Sequence, residues 1–222
     1  MNTQFSKIIY KPDKAQLWIE AVILYVALPL TFLTNFYKKF PLMLVLIILG
    51  VAVYIFLRKD KNFNTTTFTK VKVGKKTYKS MALVFILSAA IMTLMIYFID
   101  SDKLFFLIKE NPLLLILISV FYPLFSVIPQ GLAYRALFFY RYGKLLPNDN
   151  IRILISGAVF SFGHILYKNP MVLIMTFGAG ILFAWRYKKT NSLFASILEH
   201  ALLGFWLFAC GLGYFFVSGM VQ

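Results

Sequence analysis

The chain has 222 residues, of which 60% are hydrophobic, 18% aromatic and only 14% charged, whereas soluble domains run near half apolar and a quarter charged. A single cysteine, Cys210, excludes an internal disulfide and leaves the redox compartment open. The formal charge of +15 invites a nucleic-acid partner, but the basic residues sit between apolar blocks, a pattern of membrane topology and not of nucleic-acid binding.

Residues 1–17 are polar and basic, with no small-residue cleavage pattern after the apolar run that follows, so they read as a cytoplasmic N-terminal segment, not a cleaved signal. Residues 18–222 then read as one membrane domain. A bilayer core about 30 Å thick needs about 20 apolar residues in a helix, and spans are predicted over 18–37, 40–57, 81–99, 112–134, 152–167, 170–186 and 192–217. The fold class is therefore an all-α polytopic bundle of seven or eight membrane helices, the eighth depending on whether 130–145 is a separate short element.

The connections carry the charge. The 58–80 loop reads as basic and irregular, although "FTKVKV" alternates like a short strand. Asn64-Thr65-Thr66 fits a glycosylation acceptor but falls on the basic side. "KLFFLIKE", 103–110, suits the opposite interface, and Pro123 and Pro129 are expected to kink the fourth span. With alternate connections on opposite sides, 18 of the 23 basic residues fall on one side, leaving only Lys38, Lys39, Lys103, Lys109 and Lys168 on the other. The expectation is a multi-pass protein of the cell membrane with its N-terminus in the cytoplasm, its excess charge also attracting anionic headgroups.

Ionisable groups inside a span cost about 2.5–3.5 kcal/mol each, so they face the bundle interior and mark function. With Glu20 read as interfacial, four remain: Arg135 in "PQGLAYR", His164 in "FSFGH", and Glu199 and His200 in "LEHALLG". Both histidines of the chain lie in apolar segments. Gly131 and Arg135, Phe160 and His164, and His200 and Gly204 are each four apart, which places each pair on one helix face. Interhelical hydrogen bonding by small and polar residues would explain such stripes; a shared cavity would too.

These three stretches, in order and spacing, resemble the motifs of the CPBP family of CAAX-prenyl-protease and bacteriocin-processing intramembrane proteases (ABI-type): EExxxR, FxxxH and HxxxN on three successive helices. The resemblance covers about residues 120–215. It implies an endopeptidase acting on membrane-associated or prenylated peptides, in which a motif glutamate and the histidine matching His164 activate water. The histidine matching His200 and the following Asn would stabilise the oxyanion, and Arg135 would hold a motif glutamate, beside Tyr134 and Phe160. A metal is open, zinc or none, with His164 and His200 as its ligands. The sequence departs from the pattern at Gln130 and Gly131, which replace both glutamates, and at Gly204, which replaces the Asn. Glu199 points about 100° away from His200 on a helix, leaving it to orient His200 from a neighbouring groove or to pair with Arg135. Two readings stand: a protease-like protein inactivated at its acid, or a scaffold that binds a peptide or partner helix in the remnant cavity. A transporter would call for paired halves with broken helices, and no internal symmetry is visible.

Overall fold

The computed structural model describes residues 12–34 and 41–216. Lys7 and Lys11 of the N-terminal segment, the Lys38–Lys39 connection and residues 217–222 lie outside them. Among the described residues seven helices are long and apolar enough to cross a membrane: α1 (Lys14–Thr31), α2 (Leu42–Lys59), α3 (Lys75–Ile99), α4 (Pro112–Leu145), α5 (Asp149–Tyr167), α6 (Pro170–Thr190) and α7 (Leu193–Cys210). Strands are absent among the described residues; part of the 58–80 loop is a helical turn, Thr66–Thr69. The outer surface is apolar, as a lipid solvent requires, with Phe98 79% and Ile174 73% exposed.

Short polar residues start the helices. Asp13, Asn111, Asn148, Asn169 and Ser192 each accept a hydrogen bond from a backbone N–H of the first turn, satisfying donors that the helix ladder leaves open. The seventh helix stops at Cys210, earlier than 217, because Gly211 takes a left-handed conformation and a 3₁₀ segment, Leu212–Phe216, follows.

The fourth helix is a single element, so 130–145 is not an eighth helix. Its 34 residues exceed a bilayer crossing, and it passes through both prolines with a change of hydrogen bonding. Pro123 has no N–H to donate, and from there to Val127 the ladder becomes π-helical, the Ile128 N–H donating to the Pro123 carbonyl. A second π-helical stretch, Leu132–Tyr142, surrounds Arg135. Such stretches concentrate at functional sites.

Helix register assembles the core. α4–α5 and α6–α7 are antiparallel hairpins, so residues equidistant from a turn come level. At about 1.5 Å of rise per residue, Arg135 and Phe160 stand about 15 Å from the α4–α5 turn, and Phe183 and His200 about 10 Å from the α6–α7 turn. α5 and α6 approach until a Cβ on Gly180 would lie 2.9 Å from the Gly157 Cα. α1 is tied to α4 by the Tyr25 hydroxyl, which donates to the Ala133 carbonyl at 2.7 Å. Trp206 of α7 donates to Ala89 of α3 at 3.1 Å.

The basic connections share one end of the bundle. Lys70 of the 58–80 loop donates to the Thr190 carbonyl at 2.7 Å, Lys188 pairs with Asp149 at 3.1 Å, and Arg141 grips Glu20 at 2.7 and 2.8 Å. At the other end Lys103 lies over the Tyr214 ring at 4.8 Å.

Candidate functional site

Phe160 is the centre on which the three motif helices meet. Its ring, 1% exposed, lies 4.7 Å from the His164 ring, 5.5 Å from the His200 ring and 5.4 Å from the Tyr134 ring. The Arg135 guanidinium sits over it at 4.3 Å. Both imidazoles therefore rest on one phenyl group, which bounds their separation to the sum of those two distances, and the Arg135 charge acts electrostatically on both. The structure brings Arg135, His164 and His200 together.

His164 lies beyond the regular α-helical part of α5, which ends at Phe162. Its Nδ1 is 2.8 Å from the Phe160 carbonyl. A carbonyl only accepts, so Nδ1 carries the proton and Nε2 of the neutral ring keeps its lone pair. His200 is buried, stacked on Phe183 at 4.5 Å, with Nε2 3.1 Å from the Tyr122 hydroxyl.

Tyr122 was not among the sequence candidates, and Gly204 explains its presence. A Cβ at 204 would run into the Tyr122 hydroxyl and ring. The glycine at the Asn position of HxxxN thus makes room for a phenol from α4, and that hydroxyl supplies the polar group beside His200. Tyr134 is seated similarly, its hydroxyl against Gly163. The sequence signal for Tyr122 was weak, because it depends on α4 packing on α7.

Gly131 and Arg135 do not form a four-residue stripe. In the π-helical stretch the relevant spacing is five, and Arg135 Nη1 donates to the Gln130 carbonyl at 3.4 Å. Gly131 instead faces α7, where its Cβ would lie 2.9 Å from Ile197 Cγ1. Gln130 is buried, its amide nitrogen donating to Ser126 at 2.8 Å, and its Oε1 has no hydrogen-bond partner among the described residues.

Arg135 is the anomaly of the site. It is 1% exposed, and its Nε and Nη2 lack partners among the described residues. Its Cζ lies over the Phe160 ring at 4.3 Å and the Phe183 ring at 5.1 Å, two rings at 81° to each other. Cation–π contacts are worth about 2 kcal/mol when desolvated, while burying an ion costs several kcal/mol, so the rings do not offset the burial.

Among the described residues no carboxylate reaches it. All eight acidic residues of the chain lie in described segments, and each belongs elsewhere. Glu199 neither orients His200 nor pairs with Arg135. Arg186 holds it side-on, Nε to Oε2 at 2.9 Å and Nη2 to Oε1 at 2.6 Å, with the two side chains 1% and 2% exposed. Arg186, counted in the sequence among the topology charges, is thus an interior residue; its place and that of Glu199 on either side of the α6–α7 turn is the signal that would have paired them. Glu20 is held by Arg141, and Asp149 by Arg152 and Lys188. Asp13 caps α1, Asp60 hydrogen-bonds Asn62 and Tyr140, and Asp100, Asp102 and Glu110 lie at the Lys103 end.

A zinc ion does not fit this donor set. Among the described residues no three of His, Cys, Asp or Glu converge, a zinc centre takes three or four protein ligands, and the Arg135 cation shares the pocket. What the arrangement offers is one free imidazole lone pair, one phenol, two guanidinium nitrogens without partners among the described residues and aromatic walls.

A family model described as Type II CAAX prenyl endopeptidase Rce1-like matches residues 111–206. No curated protein matches the chain, and no solved structure does.

Proposed function

We propose that this chain, whose residues 111–206 match an Rce1-like CAAX prenyl endopeptidase family model and whose helices suit a multi-pass membrane protein, keeps that family's intramembrane site as a binding site and does not hydrolyse peptides. Its ligand is a membrane-borne peptide. The observation that carries this reading is the placement of the acids: Glu199, buried in α7, and Glu20, at the basic end of the bundle, are each clamped by an arginine, so among the described residues no carboxylate is left to take a proton from water in the manner of the family's glutamate. Gln130 has the shape of the acid it replaces and can accept or donate a hydrogen bond, but it is no base. The His164 lone pair, the Tyr122 hydroxyl and Arg135 suit an extended peptide's N–H and C=O groups, which must be satisfied inside a bilayer.

The cell membrane is the proposed location, with the basic end of the bundle, and with it the N-terminus, in the cytoplasm. The gathering of the 58–80 loop and the α4–α5 and α6–α7 turns at one end supports that orientation.

The test is to reconstitute the protein in liposomes with a photoactivatable, lipidated peptide and recover the peptide by mass. Cross-linking to α4, α5 or α7 with the peptide intact is expected, weakened by His164→Ala. A cleaved peptide, or cross-linking indifferent to His164→Ala and Arg135→Gln alike, contradicts the proposal.

A further inference from the structure

Three arginines in this molecule are comparable, and two of them show what the third is built to do. Arg141 holds Glu20 through Nε and Nη2, and Arg186 holds Glu199 through the same two atoms. Those atoms form one edge of the guanidinium plane, with parallel N–H groups that match the two oxygens of a carboxylate. In Arg135 that edge, Nε and Nη2, is the part without a partner among the described residues, while Nη1 is engaged by the Gln130 carbonyl.

The rest of the pocket restricts what can dock there. Phe160 and Phe183 flank the guanidinium on adjacent sides, their rings at 81° to each other, and the Nε–Nη2 edge is left without a polar neighbour among the described residues. A carboxylate, planar, singly charged and less strongly hydrated than a phosphate, is the anion that this edge takes in both of the other arginines. Beyond Arg135 the walls are Tyr134, Phe160 and Phe183, which suit hydrocarbon. We propose that Arg135 is the anchor of a carboxylate-binding subsite, and that the ligand presents its own carboxylate, on an apolar chain, to the Nε–Nη2 edge. This rests on the binding reading above and names its ligand class: no acid among the described residues reaches Arg135, so the counterion arrives with the ligand. The carboxylate has two possible sources, a free peptide C-terminus and a fatty acid.

Thermal unfolding of the purified full chain in detergent separates them. The probes are dodecanoate against dodecanamide, a leucine-rich hexapeptide with a free against an amidated C-terminus, and dodecyl phosphate. The acid of at least one pair raises the melting temperature by several degrees and its amide does not; a shift with dodecanoate alone assigns the lipid source, and one with the peptide alone assigns the C-terminus. Arg135→Lys, which keeps the charge but loses the side-on fork, weakens the acid's apparent affinity at least tenfold. Gln130→Glu adds a carboxylate to the residue whose backbone carbonyl holds Nη1, abolishes the shift and raises the unliganded melting temperature, and it decides the matter should Arg135→Lys fail to fold. Equal shifts with acid and amide, a stronger shift with dodecyl phosphate, or a shift that survives Gln130→Glu overturns the proposal. None of these outcomes depends on peptide hydrolysis, so this subsite and the non-hydrolytic reading fail separately.

Discussion

Replacing Glu199 by leucine leaves Arg186 in the interior with the Ser80 hydroxyl, 3.3 Å from Nη2, as its side-chain hydrogen-bond partner among the described residues, and the Trp185 ring 4.9 Å from Cζ. The pair it breaks is side-on at 2.9 and 2.6 Å, with both side chains nearly inaccessible. Its attraction is about 4 kcal/mol at a separation of about 4 Å and an effective dielectric of about 20. Losing one partner of such a pair costs about 3–5 kcal/mol, chiefly because the remaining charge is stranded. Glu199→Leu and Arg186→Met should therefore each destabilise by about 3–5 kcal/mol. The double variant, in which no charge is stranded, should return to within about 2 kcal/mol of the parent. Unfolding in mixed micelles, run as a double-mutant cycle, measures this coupling directly. Single losses below about 1 kcal/mol, or a double variant equal to the sum of the singles, would refute the interior pairing and release Glu199 for another role.

Other consequences follow from close contacts and from one half-buried acid outside the spans. Gly204→Ala drives a methyl group into Tyr122 and should cost about 1–3 kcal/mol, recovered in large part by Tyr122→Leu in a thermal melt. Gly180→Ala meets the Gly157 backbone at 2.9 Å and the Phe160 ring at 3.0 Å; a loss of about 1–3 kcal/mol is expected, together with weaker ligand binding because Phe160 carries the site. Asp60, just past α2, is held below the usual carboxylate range by the Tyr140 hydroxyl and the Asn62 backbone N–H. A depressed folded value means that its contribution is present above the ordinary carboxylate pKa and fades as pH falls through the lowered one, so Asp60→Asn should flatten the acid limb of a stability-against-pH profile.

How far the sequence carries the fold depends on which forces act. The seven spans follow from hydropathy, because a bilayer imposes length and apolarity on each helix separately. Only their edges differ, most at Gly211, at the start of α3, which begins at Lys75 and not at 81, and at the end of α4, which runs on to Leu145 and not to 134. The meeting of Arg135, His164 and His200 was legible through motif order. Three features were not. The π-helical stretch around Arg135 changes the spacing from four to five, which moved Gly131 onto Ile197 and away from the arginine. Tyr122 came into view only with the packing of α4 on α7. Arg186 was hidden by counting it with its neighbours Lys188 and Lys189, although it faces inward and they do not.

The most direct test of the account is turnover. Wild-type protein and His164→Ala, reconstituted side by side, are incubated with prenylated and unprenylated membrane peptides, and new termini are counted by mass spectrometry. A site without a free carboxylate gives both proteins the same background rate on every peptide. Product that forms with the wild type and vanishes with His164→Ala would show that this site hydrolyses peptides without the missing acid, and the account would be wrong at its centre.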